Sequence, residues 1–148
     1  MKFAEGKAGR IFIIQLEDGD IIPDCIEKFA ASQHIKAAYV TIVGGVSQGN
    51  VVVGPRDTCA VKPDPMLVPV NEAHEMLATG IIAPTAEGIP VLHIHGALGR
   101  AGQTLTGCLR PGVTTWLTGE AVIYEIEDVD AARLLHEVSG FKLLKVKE

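Results

Sequence analysis

Two histidines one residue apart, His93 and His95, and a cysteine further on, Cys108, are the side chains best suited to hold a metal ion. In an extended strand, residues i and i+2 share a face, so a His-x-His spacing turns both imidazoles to one side. The stretch from Val91 to Arg110 reads V-L-H-I-H-G-A-L-G-R-A-G-Q-T-L-T-G-C-L-R. Its two apolar-rich halves flank Gly99-Arg100-Ala101-Gly102, a composition that predicts a β-hairpin. With Ala101 and Gly102 at the turn centre, Leu98 faces Leu105, Gly96 faces Gly107 and Ile94 faces Leu109. Those pairs match in character and form a core face. The other face follows: Ala97 lies opposite Thr106, His95 opposite Cys108 and His93 opposite Arg110. A slip of one residue would exchange the two faces. Directly opposed residues have Cβ atoms ~4.5–5.5 Å apart. Imidazole and thiolate arms of that reach could close on one ion at ligand distances of about 2.0–2.3 Å, with a fourth position open to water, a substrate or a neighbouring subunit. The plainer reading is a polar strand face in which Cys108 is a small hydrophobe.

Around this trio stand weaker candidates for ligand binding: Arg110, Glu75, His74 and Glu120. Arg110 beside His93 suits an anionic ligand group, or a carboxylate such as Glu75 or Glu120. His74 and Glu75 open a predicted strand on which Glu75, Leu77 and Thr79 share a face, so either could add a ligand or act as a general base. An exposed strand start is the simpler reading of both. His34, at a helix end, and His136, in a second predicted helix, read as structural. No Walker motif, no G-x-S-x-G and no H-E-x-x-H occurs, and Gly44-Gly45 lacks the rest of a dinucleotide fingerprint.

The elements that must position these groups can be read along the chain. Arg10–Leu16 has strand composition and ends at the turn residues Glu17-Asp18-Gly19-Asp20. Asp20 can cap a helix with Pro23 near its start and Ile22, Ile26, Phe29 and Ala30 on one face, fading near His34. Ala37–Val46 is a predicted strand with a bulge or bend at Gly44-Gly45, and Asn50–Val53 a short strand after it. The proline-rich stretch from Arg56 to Val70 reads as a loop or surface excursion. Ala73–Ile82, Val91–Leu98, Gln103–Leu109 and Trp116–Ile126 read as strands. Asp130–Val138 reads as a short helix, capped by Asp128 or Asp130 and ended by Gly140, and Phe141–Val146 as a closing strand. No repeat, linker or low-complexity tract divides the chain, so residues 1–148 read as one α+β domain with its core over about 10–146.

The chain has 148 residues, enough for one self-sufficient core. Hydrophobic residues make up 47% and aromatics only 5%, so Val, Ile, Leu and Ala build the core, and the apolar excess predicts surface hidden in an oligomer. A net charge of −5 disfavours DNA as a partner, because a phosphate backbone recruits surplus cations. The densest basic stretch, Lys142, Lys145 and Lys147, reads as the solvated side of the final strand. Three scattered cysteines without a C-x-x-C pair predict a reducing compartment. With no signal-peptide pattern and no membrane-length apolar run, the expected address is the cytoplasm, with no membrane partner.

Taken in order, R-I-F-I-I-Q-L-E-D-G-D with its following helix, A-A-Y-V-T-I-V-G-G-V-S-Q-G-N-V, H-E-M-L-A-T-G, V-L-H-I-H-G-A-L, L-T-G-C-L and L-T-G-E-A-V-I-Y-E-I resemble the plant and prokaryote conserved (PPC) domain over about Arg10 to Val146. That resemblance implies a mostly antiparallel β-sheet with flanking helices, and a homotrimer. Members commonly carry His-x-His followed by a Gly-Gly-His-Leu segment, the three histidines forming a metal site in some of them. Here the segment reads Thr106-Gly107-Cys108-Leu109, so cysteine stands at the third position; it too is a zinc ligand. The resemblance therefore implies a protein binding zinc or another divalent metal, or a small anionic molecule, at His93, His95 and Cys108. Two alternatives remain open. One is a DNA-binding regulator, although the chain lacks the Arg-Gly-Arg-Pro core of the plant AT-hook. The other is a metal-dependent enzyme using His74, Glu75 or Glu120 as general acid or base.

Overall fold

The computed structural model describes residues 1–146; Lys147, the last member of the basic stretch, and Glu148 lie outside the described residues. The elements are β1 (Lys7–Glu17), α1 (Ile22–Ser32), β2 (Ala38–Pro55), β3 (Pro65–Val70), β4 (His74–Pro84), β5 (Pro90–Arg100), β6 (Gln103–Leu109), β7 (Thr114–Glu127), β8 (Ala131–His136) and β9 (Phe141–Val146). The main sheet runs β1-β7-β2-β4-β5-β6, every pairing antiparallel, with β3 added to β2.

Strand β2 organises the sheet because it changes partners along its length. Its first half lies between β7 and β4, and its second half pairs with β3 and, at Val51 and Val52, with Leu109 and Cys108 of β6. The pairings β2–β4, β4–β5, β5–β6 and β6–β2 thus close a small ring of strands. The register of β2 against β7 shifts between Gly44 and Gly45, the bulge expected there. Gly49, at φ 132, lets the strand turn closely past Val113; a Cβ there would meet Val113 Cα at 2.6 Å. One face of the sheet is the core. Ile22, Ile26 and Ala30 of α1 pack against Val40, Ile42, Ile82, Leu92, Ile94, Ala121 and Ile123, all buried. At the opposite end of the sheet, Arg10 grips the buried Glu125 in a two-pronged ion pair (2.7 and 2.8 Å) and also donates to Gln33 O at 2.8 Å, tying β1, β7 and the end of α1 together.

Four expectations need correction. Asp20 does not cap α1: its Oδ2 accepts the Glu17 N–H at 2.9 Å, closing the preceding turn, and Ile21 sits at the N-cap without a side-chain bond. The strand expected over Ala37–Val46 and the short one over Asn50–Val53 are one strand, because β2 absorbs its glycines as a bulge and a bend. The proline-rich segment contains β3; its prolines are tolerated because it pairs with β2 along one side only. The helix expected over 130–138 is the strand β8, paired with β9 in a separate two-stranded sheet. Leu134, Leu135 and Val138, the residues of its supposed apolar stripe, are exposed. Gly140, read as a helix end, is in the hairpin turn at φ 75 and donates to His136 O at 2.8 Å. Among the described residues there is therefore one α-helix, α1, where two were expected.

Gly107 sits where β6 crosses β2. A Cβ there would press on the Val52 carbonyl and lie 2.8 Å from Val51 Cγ1. Gly107→Ala should push β6 off β2 and destabilise the fold by about 1–3 kcal/mol, the usual cost of overpacking. Urea unfolding followed by Trp116 fluorescence would read it.

Candidate metal centre

Strand β5 alternates strictly. Leu92, Ile94, Gly96 and Leu98 are buried, while His93 and His95 are exposed between them. The alternation arises because the sheet and α1 bury one face only. The hairpin register matches the expectation pair for pair from Leu98–Leu105 through Ala97–Thr106 to His95–Cys108. Beyond Cys108 strand β6 leaves β5 for β2, and the Arg110 N–H bonds to Asn50 O at 3.1 Å. The expected pairing of His93 with Arg110 is therefore not formed as a ladder pair.

The two imidazoles converge. His93 Nε2 and His95 Nε2 are 3.1 Å apart, with ring centroids 4.9 Å apart and planes at 81°. The ligand atoms of His93, His95 and Cys108 all lie within 4.8 Å of one another. Tetrahedral zinc with N and S ligands needs about 3.3 Å between two nitrogens and about 3.5 Å between nitrogen and sulfur, from bond lengths of ~2.0–2.3 Å. The nitrogens are already near that spacing, and the sulfur needs at most about 1.3 Å of closure from the 4.8 Å limit, within reach of rotation about its Cα–Cβ bond. Donor types, spacing and an exposed approach all fit a divalent metal of zinc's kind.

Electrostatics cut two ways: they keep an imidazole neutral, and the same positive charges oppose a bare cation. Partial burial holds His93 below the ordinary imidazole value, and the charges of Arg133, His95 and Arg110 push the same way. A metal binds the unprotonated ring, so fewer protons must leave when it binds. Arg133 is the neighbour that sequence reasoning missed, because the segment holding it was read as a helix. Only its charge within an otherwise apolar stretch could have marked it.

The other candidates fall elsewhere. Arg110 is exposed and close enough for its charge to act on His93. Glu75 is opposite Gly99, four residues along β4 from Thr79, which faces His95. Glu120 is opposite Val43 on β7, three strands away from β5, or about 14 Å at ~4.8 Å per strand. His74 bonds through Nδ1 to Glu72 O at 2.7 Å and lines a cleft of about 520 Å³ with Arg100 and Leu105. None of these three joins the trio within one chain. A second cleft, of about 460 Å³ between His34 and Asp130, is also lined without it. His34 follows α1 at φ 57, and His136 lies on β8 with Nδ1 2.8 Å from Ser139 Oγ.

The family model for the Plants and Prokaryotes Conserved (PCC) domain matches residues 3–127. No curated protein matches the chain. Among solved structures, a metal-containing protein from Archaeoglobus fulgidus superposes with a TM-score of 0.84 at 23% identity, covering 98% of this chain and 99% of that one. A plant- and prokaryote-conserved protein from Pyrococcus horikoshii gives 0.84 at 18% identity, with 100% and 99% covered. A protein from Bacteroides thetaiotaomicron, provisionally called DNA-binding, gives 0.78 at 17% identity, with 99% and 100% covered.

The lowered His93 value has a sign that can be tested in metal-free protein. A depressed folded-state value means that the unfolded chain takes up the proton first. The contribution to stability is whole above the unfolded imidazole value near 6.5 and is lost as pH falls through the lower folded value. Imidazole NMR titration, assigned with His93→Gln, should place His93 below 6.5.

Proposed function

Since the chain belongs to the Plants and Prokaryotes Conserved domain family, we propose that it is a metal-binding member of it, holding a divalent ion, zinc first, at His93, His95 and Cys108. The 3.1 Å approach of the two Nε2 atoms, with a thiol in reach, carries this reading. The metal-containing relative from Archaeoglobus fulgidus supports it. A bound ion would supply Lewis acidity and one open position. The three cysteines are free, which suits a reducing cytoplasm. No helix among the described residues is long and apolar enough to cross a membrane.

The same reading includes a homotrimer. The sheet face that carries the histidines also exposes Ile11, Ile13, Tyr39, Val43, Leu77, Ile81 and Tyr124, and register places several of them in rows: Ile11–Tyr124–Tyr39–Ile81–His93, and Val43–Leu77. Ile13 is 84% exposed and Leu77 62%, high values for aliphatic side chains on a sheet. A contiguous apolar surface of this kind marks an association face. The provisional DNA-binding name of some relatives finds little physical support here, since the chain carries 13 basic against 18 acidic residues. For the enzyme reading, His74, Glu75 and Glu120 stand apart from the centre within one chain.

Two measurements decide these points. Elemental analysis of tag-free protein never exposed to chelator should give close to one metal per chain, falling sharply in His95→Ala; less than about a tenth of a metal per chain would sink the metal reading. Light scattering should give three times the 15.7 kDa chain mass, and Ile13→Glu with Leu77→Glu should reduce it toward the monomer.

A further inference from the structure

Arg133 is 6% exposed, an unusual position for a guanidinium. Its Nη2 donates to Ile81 O at 2.9 Å and its Nε to Val91 O at 3.3 Å. Ile81 lies directly opposite His93, and Val91 precedes His93 by two residues on the same strand. The guanidinium therefore lies across the β4–β5 seam beside His93. Strand β8 brings it there through the Thr85–Arg133 bridge, where Ala83 and Thr85 are buried too.

Both acceptors are neutral carbonyls, and they take two of the five N–H donors of a guanidinium. The ion pairs among the described residues do not include Arg133. Burial works against its charge, and the groups able to offset it are the Cys108 sulfur, as a thiolate, and Glu27. Glu27 already accepts the Leu92 N–H at 2.8 Å, and its own burial pushes it toward the neutral form. Arg110 adds a second cation. With a divalent metal on two neutral imidazoles and one thiolate, the surroundings become strongly cationic. A neutral fourth ligand would leave that charge uncompensated, whereas an oxyanion would offset it and accept paired N–H bonds.

Resting on the metal reading above, we propose that the open position of the centre takes the oxyanion group of a small molecule, a carboxylate or a phosphate, and that Arg133 binds that group together with Arg110. Guanidinium geometry matters to this role: a lysine in place of Arg133 keeps the charge and loses the planar fork.

The test uses full-length protein loaded with cobalt(II), whose visible absorption reports the metal's ligands. Inorganic phosphate and acetate are titrated in separate arms at constant ionic strength. At least one should shift the band saturably, the arm that responds naming the oxyanion class. Arg133→Lys should keep the cobalt stoichiometry and the far-ultraviolet circular dichroism while weakening that oxyanion at least about tenfold, the loss of one charge-assisted hydrogen bond. Arg110→Ala, at an exposed position, should weaken it as well and serves if the Arg133 variant does not fold. A cobalt band that ignores both oxyanions, or equal affinity in wild type and variants, overturns the inference and leaves the metal reading standing. A band that never develops removes the metal reading and the inference with it.

Discussion

Strand β5 is held on both sides over part of its length, by β4 throughout and by β6 from His95 to Arg100. That double pairing is the constraint on which the candidate centre depends. A strand paired on one side can slip, and each slip of one residue would bury His93 and His95 and expose Ile94 and Leu98. Burial of those two aliphatic side chains, at 1% and 0% exposure, makes such a slip costly, at roughly 1.5–3 kcal/mol for each side chain returned to water. The same force that fills the core therefore aims the histidines. Gly96 and Gly107 face one another in the next pair, and Gly107 has Val51 and Val52 of β2 against it, which locks β6 at the level of Cys108.

Much of this was legible in the sequence because it rests on short-range rules. Alternation in V-L-H-I-H-G-A-L and the Gly-Arg-Ala-Gly turn were enough for the hairpin register, and the register alone brought His95 opposite Cys108. The α1 face was equally plain, since Ile22, Ile26 and Ala30 recur at helical spacing and are all buried. Where contacts are long-range, the pattern misled. Ala131, Leu134, Leu135 and Val138 have helical spacing, yet pairing with Phe141–Val146 and the anchoring of Arg133 on two sheet carbonyls hold that segment extended. Local propensity cannot report a partner strand, and it cannot say that an arginine in a short apolar stretch will end up buried. Long-range placement also sets the candidates Glu75 and Glu120 apart from the centre within one chain: Glu75 is on the neighbouring strand but four residues along it from the partner of His95, and Glu120 is three strands away.

The sheet has two unlike faces. One meets α1 and forms the core. The other carries aliphatic and aromatic side chains in rows that run from β1 through β7, β2 and β4 to the histidines of β5. Strand β2 is long enough to belong to both the open part of the sheet and the closed ring, which is how one strand couples that apolar surface to the hairpin.

Ile81 stands at the meeting point of these features, exposed on the apolar face, opposite His93 in the ladder, and bonded through its carbonyl to Arg133. A second copy settling on that surface would strip water from the rim of the histidine pair. Occupancy of the pair and subunit concentration then become linked variables: whatever assembly does to binding at the pair, binding does to assembly, by the same free energy.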